Sequence, residues 1–176
     1  MKVKLRTGFI LSLIFIICAG LLVGINMLPR CQVASEAQID EQAAFKEIMP
    51  QAVKFSEVKS GKKILYYRAF DSQDKLVGFV FKASGKGYSG IIETLVGMFG
   101  DGKISAIKVV SSNETPGLGM RVTENSFTSQ FNNQDALSLS GVQAITGATI
   151  SSSAVINSVI KKAQEIKELI RNEKKP

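Results

Sequence analysis

Histidine is absent from the 176 residues, and cysteine occurs only twice, at Cys18 and Cys31. Without histidine the chain cannot build a His-ligated haem or a zinc site of the usual Cys/His kind, and two thiols cannot hold a four-cysteine cluster alone. A Ser/His/Asp or Cys/His catalytic arrangement is excluded on the same ground, and no P-loop signature is present. Any redox chemistry must therefore use another cofactor. Cys18 lies inside a long apolar run and Cys31 just beyond it. A helix there holds the two thiols well apart, which disfavours a disulfide between them. Cys31 reads as an incidental thiol beside a membrane, because the bulky, charged Met27-Leu28-Pro29-Arg30 before it argues against lipid modification.

Charge is the second scarcity. From Gly8 to Leu28 there is none, and only Ser12 and Asn26 interrupt the apolar character. That length matches the roughly 20 residues needed to cross a hydrocarbon core. Lys2, Lys4 and Arg6 precede the run, whereas Arg30 is soon followed by Glu36, Asp40 and Glu41. The bias predicts a cytoplasmic N-terminus and an exported remainder. A cleaved signal peptide is the rival, but its apolar core is usually only about 7–15 residues long. The net charge of +7 is concentrated at the ends. The first seven residues carry +3 and the stretch from Lys161 to Pro176 another +3, leaving +1 between them. This is too little for a phosphate-tracking face and excludes nucleic acid as a partner. The basic ends suit a topology signal and a solvated helix with some attraction to anionic lipid.

These features predict a cytoplasmic N-terminus over 1–7, a transmembrane helix over 8–28, a stalk with a short helix over 29–50, and one folded domain over 51–176. The short helix runs from Glu41 to Met49 and stops at Pro50. In the domain, β-like runs occupy Ile64–Phe70, Leu76–Phe81, Ile91–Phe99 and Ile104–Val110. The turn clusters Asp71–Asp74 and Gly100–Lys103 are short enough for hairpins, so an antiparallel meander is expected. A final helix is expected from Ser152 to Asn172, with Val155, Ile156, Val159, Ile160, Ala163, Ile166 and Ile170 on its buried face. The fold class is α+β.

Three motifs stand out. Thr146-Gly147-Ala148-Thr149-Ile150-Ser151-Ser152 is a tight corner rich in hydroxyls that opens into the final helix. It reads as a plain N-cap, or as a phosphate site in which free amides and the helix dipole meet an anion. Glu114-Thr115-Pro116-Gly117-Leu118-Gly119 reads as a turn, or as a place where Gly117 and Gly119 let the backbone approach a flat ring against Leu118. Gly85-Lys86-Gly87-Tyr88-Ser89-Gly90 formally matches a dinucleotide fingerprint. A strand rather than a helix follows it, so it reads as a flexible inter-strand loop.

The Thr146–Ser152 string resembles the flavinylation motif of the FMN-binding domain family, and Glu114–Gly119 resembles that family's second signature. Their order and spacing are similar to those in the G subunit of Rnf-type complexes and the C subunit of sodium-translocating NADH:quinone reductases. The resemblance implies FMN held by a phosphoester bond to Thr149 and installed by a flavin transferase of the ApbE type, with FAD as donor. It implies a pocket formed by Thr146, Gly147, Ala148, Ser151, Ser152, Glu114, Thr115, Gly117, Leu118 and Gly119, with Tyr88 as a further wall. It also implies an electron-relaying subunit in the cell membrane, working with the other membrane and redox subunits of an Rnf-type ferredoxin:NAD complex. One position departs from the pattern. Gln143 stands where an acidic residue commonly lies, six before the acceptor, which predicts slower or partial attachment. Two rivals remain: an extracytoplasmic binding or sensing module without redox function, and a free-standing flavoprotein serving an extracellular acceptor.

Overall fold

The computed structural model describes residues 43–61 and 63–173, together with residues 12, 13 and 15–17, which are helical. The rest of the 8–28 span lies outside the described residues, and among those described no helix is long and apolar enough to cross a membrane. Residues 1–42 and 43–176 form separate units. The second unit holds the sheet, the final helix and all three motifs.

Five strands, β1 (Lys54–Ser60), β2 (Lys63–Phe70), β3 (Leu76–Lys86), β4 (Ile91–Phe99) and β5 (Ile104–Ser112), form one sheet in sequence order. Every neighbouring pair is antiparallel, so the sheet is the expected meander. Its hairpins rest on local chemistry. Asp71 Oδ1 accepts the amides of Gln73 and Lys75 at 2.8 and 3.0 Å, and Asp101 Oδ1 accepts that of Lys103 at 3.0 Å. These are side chain to backbone bonds that favour a turn over a continued strand.

The two faces of the sheet follow the period of two along each strand. Phe79, Phe81 and Ala83 of β3 and Ile92, Val96 and Met98 of β4 enter the larger core. Val80 and Leu95 point the other way, toward Ala44, Phe45, Ile48 and Met49. Residues 43–48 are helical as expected, and they close this second face. The short helix that the sequence groups with the stalk therefore packs as part of the domain, because the Phe45 ring meets those of Phe55 and Tyr67 in tilted contacts, with centroids 5.1 and 4.7 Å apart.

β1 is the strand that no apolar run announces. Its sequence, Lys-Phe-Ser-Glu-Val-Lys-Ser, is mostly polar, and as an edge strand it keeps only Phe55 and Val58 half-buried. Past β5 the chain makes a long excursion with little regular structure. It contains a 3-10 turn at Gly119–Thr123, helix α1 (Asn125–Thr128) and a second 3-10 turn at Ser129–Phe131. Phe127 and Phe131 are fully buried and meet edge to face at 5.4 Å, plugging the larger core.

Helix α2 (Thr149–Glu173) ends the fold and packs across β3 and β4. Val155, Val159, Ala163 and Ile166 are completely buried, while Ile156, Ile160 and Ile170 flank them half-buried. Each fully buried branched side chain contributes about 1.5–3 kcal/mol relative to exposure. The closest approach is at Gly85, where a methyl group would lie 2.4 Å from the Ala154 carbonyl oxygen. Gly85 and Lys86 thus belong to β3 rather than to a flexible loop, and the loop proper is only 87–90, closed by the Gly87 amide donating to Gly90 O at 2.8 Å.

Candidate functional site

Packing α2 on β3 fixes its N-terminus beside the loop 87–90 and the segment that leaves β5. Between them lies a cleft of about 410 Å³ lined by Tyr88, Glu114, Thr115, Leu118, Gly119, Gly147, Ala148, Thr149, Ile150 and Ser151. Both sequence motifs and the inter-strand loop meet there. Ile150 is a lining residue that the sequence does not single out as part of the site. It follows the acceptor candidate in the apolar-periodic run, and its 55% exposure shows that it does not serve the core.

Thr149 is the first helical residue, not the residue before the helix. The first helical bond runs from the Ser152 amide to Ala148 O at 2.9 Å, so Ala148 flanks the helix. Helix geometry then leaves the amides of Thr149, Ile150 and Ser151 without intrahelical acceptors. Among the described residues no side-chain hydroxyl is spent on them. The Ser151 hydroxyl donates to Glu114 Oε2 at 2.7 Å, and the Ser152 hydroxyl donates to Ala148 O at 2.9 Å while accepting the Ile145 amide at 3.0 Å. The corner itself needs Gly147, whose φ of +83° favours glycine.

Three of the expected site residues stand apart from the cleft lining. Ser152 is fully buried and ties the corner together from inside. Thr146 is exposed in the turn that precedes the helix. Gly117 has nothing within 4 Å of a would-be Cβ and a φ of +74°, a conformation that itself favours glycine. Gly119 does face the cleft, but the space over it is already taken: a methyl there would lie 2.3 Å from Glu114 Oε2. Gln143 is exposed, with its amide donating to Gln130 Oε1 at 2.8 Å.

Glu114 is the electrostatic centre of the site. It is only 5% exposed, and its Oε1 accepts the amides of Ser89 at 3.0 Å and Gly90 at 3.2 Å. Burial pushes its pKa up, but the Ser151 hydroxyl and the amides of Ser89, Gly90 and Tyr88 outweigh that and hold it below the ordinary value. Both oxygens are therefore committed to protein donors and leave the helix amides unclaimed.

The remaining surface suits an anion joined to a flat apolar group. A helix N-terminus with three available amides stabilises a phosphate without a basic side chain, and none of the lining residues is basic. Leu118 and Ile150 are more than half exposed at the cleft, and Tyr88 is 75% exposed, so an apolar wall stands ready beside the anion site. The volume lies within the range of about 300–1,000 Å³ typical of small-molecule sites. The residues present thus fit a flavin mononucleotide.

Residues 87–164 match the FMN-binding domain family. That stretch begins at the 87–90 loop and ends within α2, so it contains every wall of the cleft. Over 158 residues the chain is 34% identical to the G subunit of the proton-translocating ferredoxin:NAD oxidoreductase complex of Clostridium ljungdahlii, covering 84% of each protein. It is 36% identical over 133 residues to the G subunit of the ion-translocating oxidoreductase complex of Methanosarcina acetivorans, covering 68% of this chain and 71% of that one. The chain belongs to this family of G subunits of ion-translocating oxidoreductase complexes. Its fold is shared with NqrC of Shewanella oneidensis, a solved structure that is 20% identical, with a TM-score of 0.52 over 69% of this chain and 74% of that one.

Proposed function

We propose that this protein is the membrane-anchored flavoprotein subunit of an Rnf-type ion-translocating ferredoxin:NAD oxidoreductase, and that it relays electrons through FMN attached covalently to Thr149. The observation that carries the reading is the placement of Thr149. Its side chain stands at the first position of a 25-residue helix, on the wall of a cleft whose other faces are three available amides and an apolar rim. Family membership supports the complex, and the FMN-binding domain match supports the cofactor.

In this reading the flavin supplies reversible electron transfer, and the protein supplies its position. The amides of Thr149, Ile150 and Ser151 would hold the phosphate, with the helix dipole favouring its charge. Leu118, Ile150 and Tyr88 would shield one side of the ring from water. The Thr149 hydroxyl is the nucleophile for attachment. That hydroxyl would hold FMN as a phosphoester, with the FAD of a flavin transferase as the donor and AMP as the leaving group. A tether of this kind keeps a carrier within electron-transfer distance of its partners and prevents its loss outside the cytoplasm.

The uncharged run from Gly8 to Leu28 acts as the anchor, with its basic flank in the cytoplasm and the domain exported. Denaturing the full-length protein in acid, after expression beside a flavin transferase, tests the reading. Flavin absorbance that stays with the polypeptide supports it, and flavin released entirely into the supernatant contradicts covalent attachment.

A further inference from the structure

Glu114 is a charged side chain in the wall of the cleft, yet neither of its oxygens is offered to the cleft. Oε1 is engaged by the 87–90 loop and Oε2 by the first turn of α2, while the residue itself begins the 114–119 segment. Three separate walls therefore meet on one carboxylate. Room for it comes from two glycines: a methyl at Gly87 would lie 2.4 Å from Oε1, and one at Gly119 2.3 Å from Oε2. A buried carboxylate is costly unless its lone pairs are filled, and here filling them requires all three segments to be in place. Two of these donors come from residues 24 and 25 positions away and the third from 37 positions away, so no local propensity brings them together.

We propose that Glu114 is the positioning residue of this site: its carboxylate draws the 87–90 loop and the first turn of α2 against the 114–119 segment, so that the Thr149 hydroxyl and the helix amides face a cleft assembled before the flavin nucleotide arrives. The inference rests on the flavin reading above and assigns Glu114 no contact with the nucleotide. Preassembly matters because attachment needs the hydroxyl held in line with the incoming phosphorus, and looseness of about 1 Å is enough to slow such a step severely. The same carboxylate is a fixed negative charge in the cleft wall. It disfavours addition of electrons to a ring bound there and so lowers the flavin's potential.

The test uses the full-length protein expressed with a flavin transferase, as wild type, E114Q and G119A. The first variant keeps the shape and removes the charge. The second keeps the charge and drives a methyl into the carboxylate. Loss of a charge-assisted hydrogen bond predicts attachment slower by about tenfold or more in both. Before attachment, the amides of Ser89 and Gly90 should exchange hydrogen faster than in wild type. The flavin that does attach should show an upward-shifted midpoint potential in E114Q, a change that a purely structural role for the residue does not produce. If E114Q does not fold, G119A alone decides on rate and exchange. Wild-type protein without attached flavin contradicts the flavin reading and with it this role. Flavin attached to the wild type and equally fast to both variants, with unchanged amide exchange, contradicts the positioning role alone.

Discussion

The Ser151 hydroxyl donates to Glu114 Oε2 at 2.7 Å and so joins the two ends of the excursion between β5 and α2. The excursion leaves the sheet edge at the cleft, plugs the larger core with Val122, Phe127 and Phe131, and returns to the cleft as the N-terminus of α2. One bond thus couples the stability of the domain to the shape of its site.

That coupling is sensitive to acid. Glu114 titrates below its ordinary value in the folded protein because its hydrogen bonds outweigh its burial. A carboxyl whose folded pKa is depressed contributes its stability in full above the unfolded value and loses it as pH falls through the folded value. The difference in unfolding free energy between wild type and E114Q should therefore be constant near neutral pH and shrink in acid. Denaturant titrations of both proteins across the acid range measure this. A difference independent of pH would contradict it.

The crossing of α2 over β3 depends on Gly85. Adding a methyl there places carbon 2.4 Å from the Ala154 carbonyl oxygen, which is backbone and cannot rotate away. Gly85→Ala should cost about 1–3 kcal/mol, as overpacking does. Because Ala154 is only five residues beyond Thr149, flavin content should fall as well. Gly100→Ala is the control, since nothing lies within 4 Å of its would-be Cβ. Equal stability of the two variants would contradict the account.

Topology is testable independently of the flavin. Three basic residues before an uncharged run of membrane-spanning length predict that everything after Arg30 is exported. A reporter that works only outside the cytoplasm, fused after Pro176, should be active. Activity of a cytoplasm-only reporter at the same position would contradict the predicted orientation.

The meander is legible in the sequence because its hairpins carry Asp-rich and Gly-rich turns between β-like runs, and α2 because its apolar residues recur at helical spacing. β1 is not, since an edge strand with one face in water needs little apolar sequence. The plug from Gly119 to Val142 is also hidden. Its turns are too short for any period, and Phe127 and Phe131 declare themselves only by where they pack. At the site, the two motifs locate the cleft, but the protein-internal demands on their glycines are not legible in the sequence. Gly119 makes room for a side chain of the protein, and Gly117 serves the turn. Hydrogen bonds between residues 24 to 37 positions apart leave no local trace, so the engagement of Glu114 with its own fold becomes visible only in three dimensions.

The central claim is the bond at Thr149, and mass spectrometry of the tryptic peptide that contains it is the most direct measurement. In a host with a flavin transferase, the wild-type peptide should carry roughly 438 Da of added mass, the increment of a phosphoester-linked FMN. Thr149→Val keeps the shape of the side chain and removes its oxygen, so that protein should fold and carry none. Thr146→Val should retain at least part of the modification, because Thr146 stands in the preceding turn outside the cleft lining. A wild-type peptide without added mass, in a protein that still passes electrons within its complex, would contradict covalent attachment at Thr149.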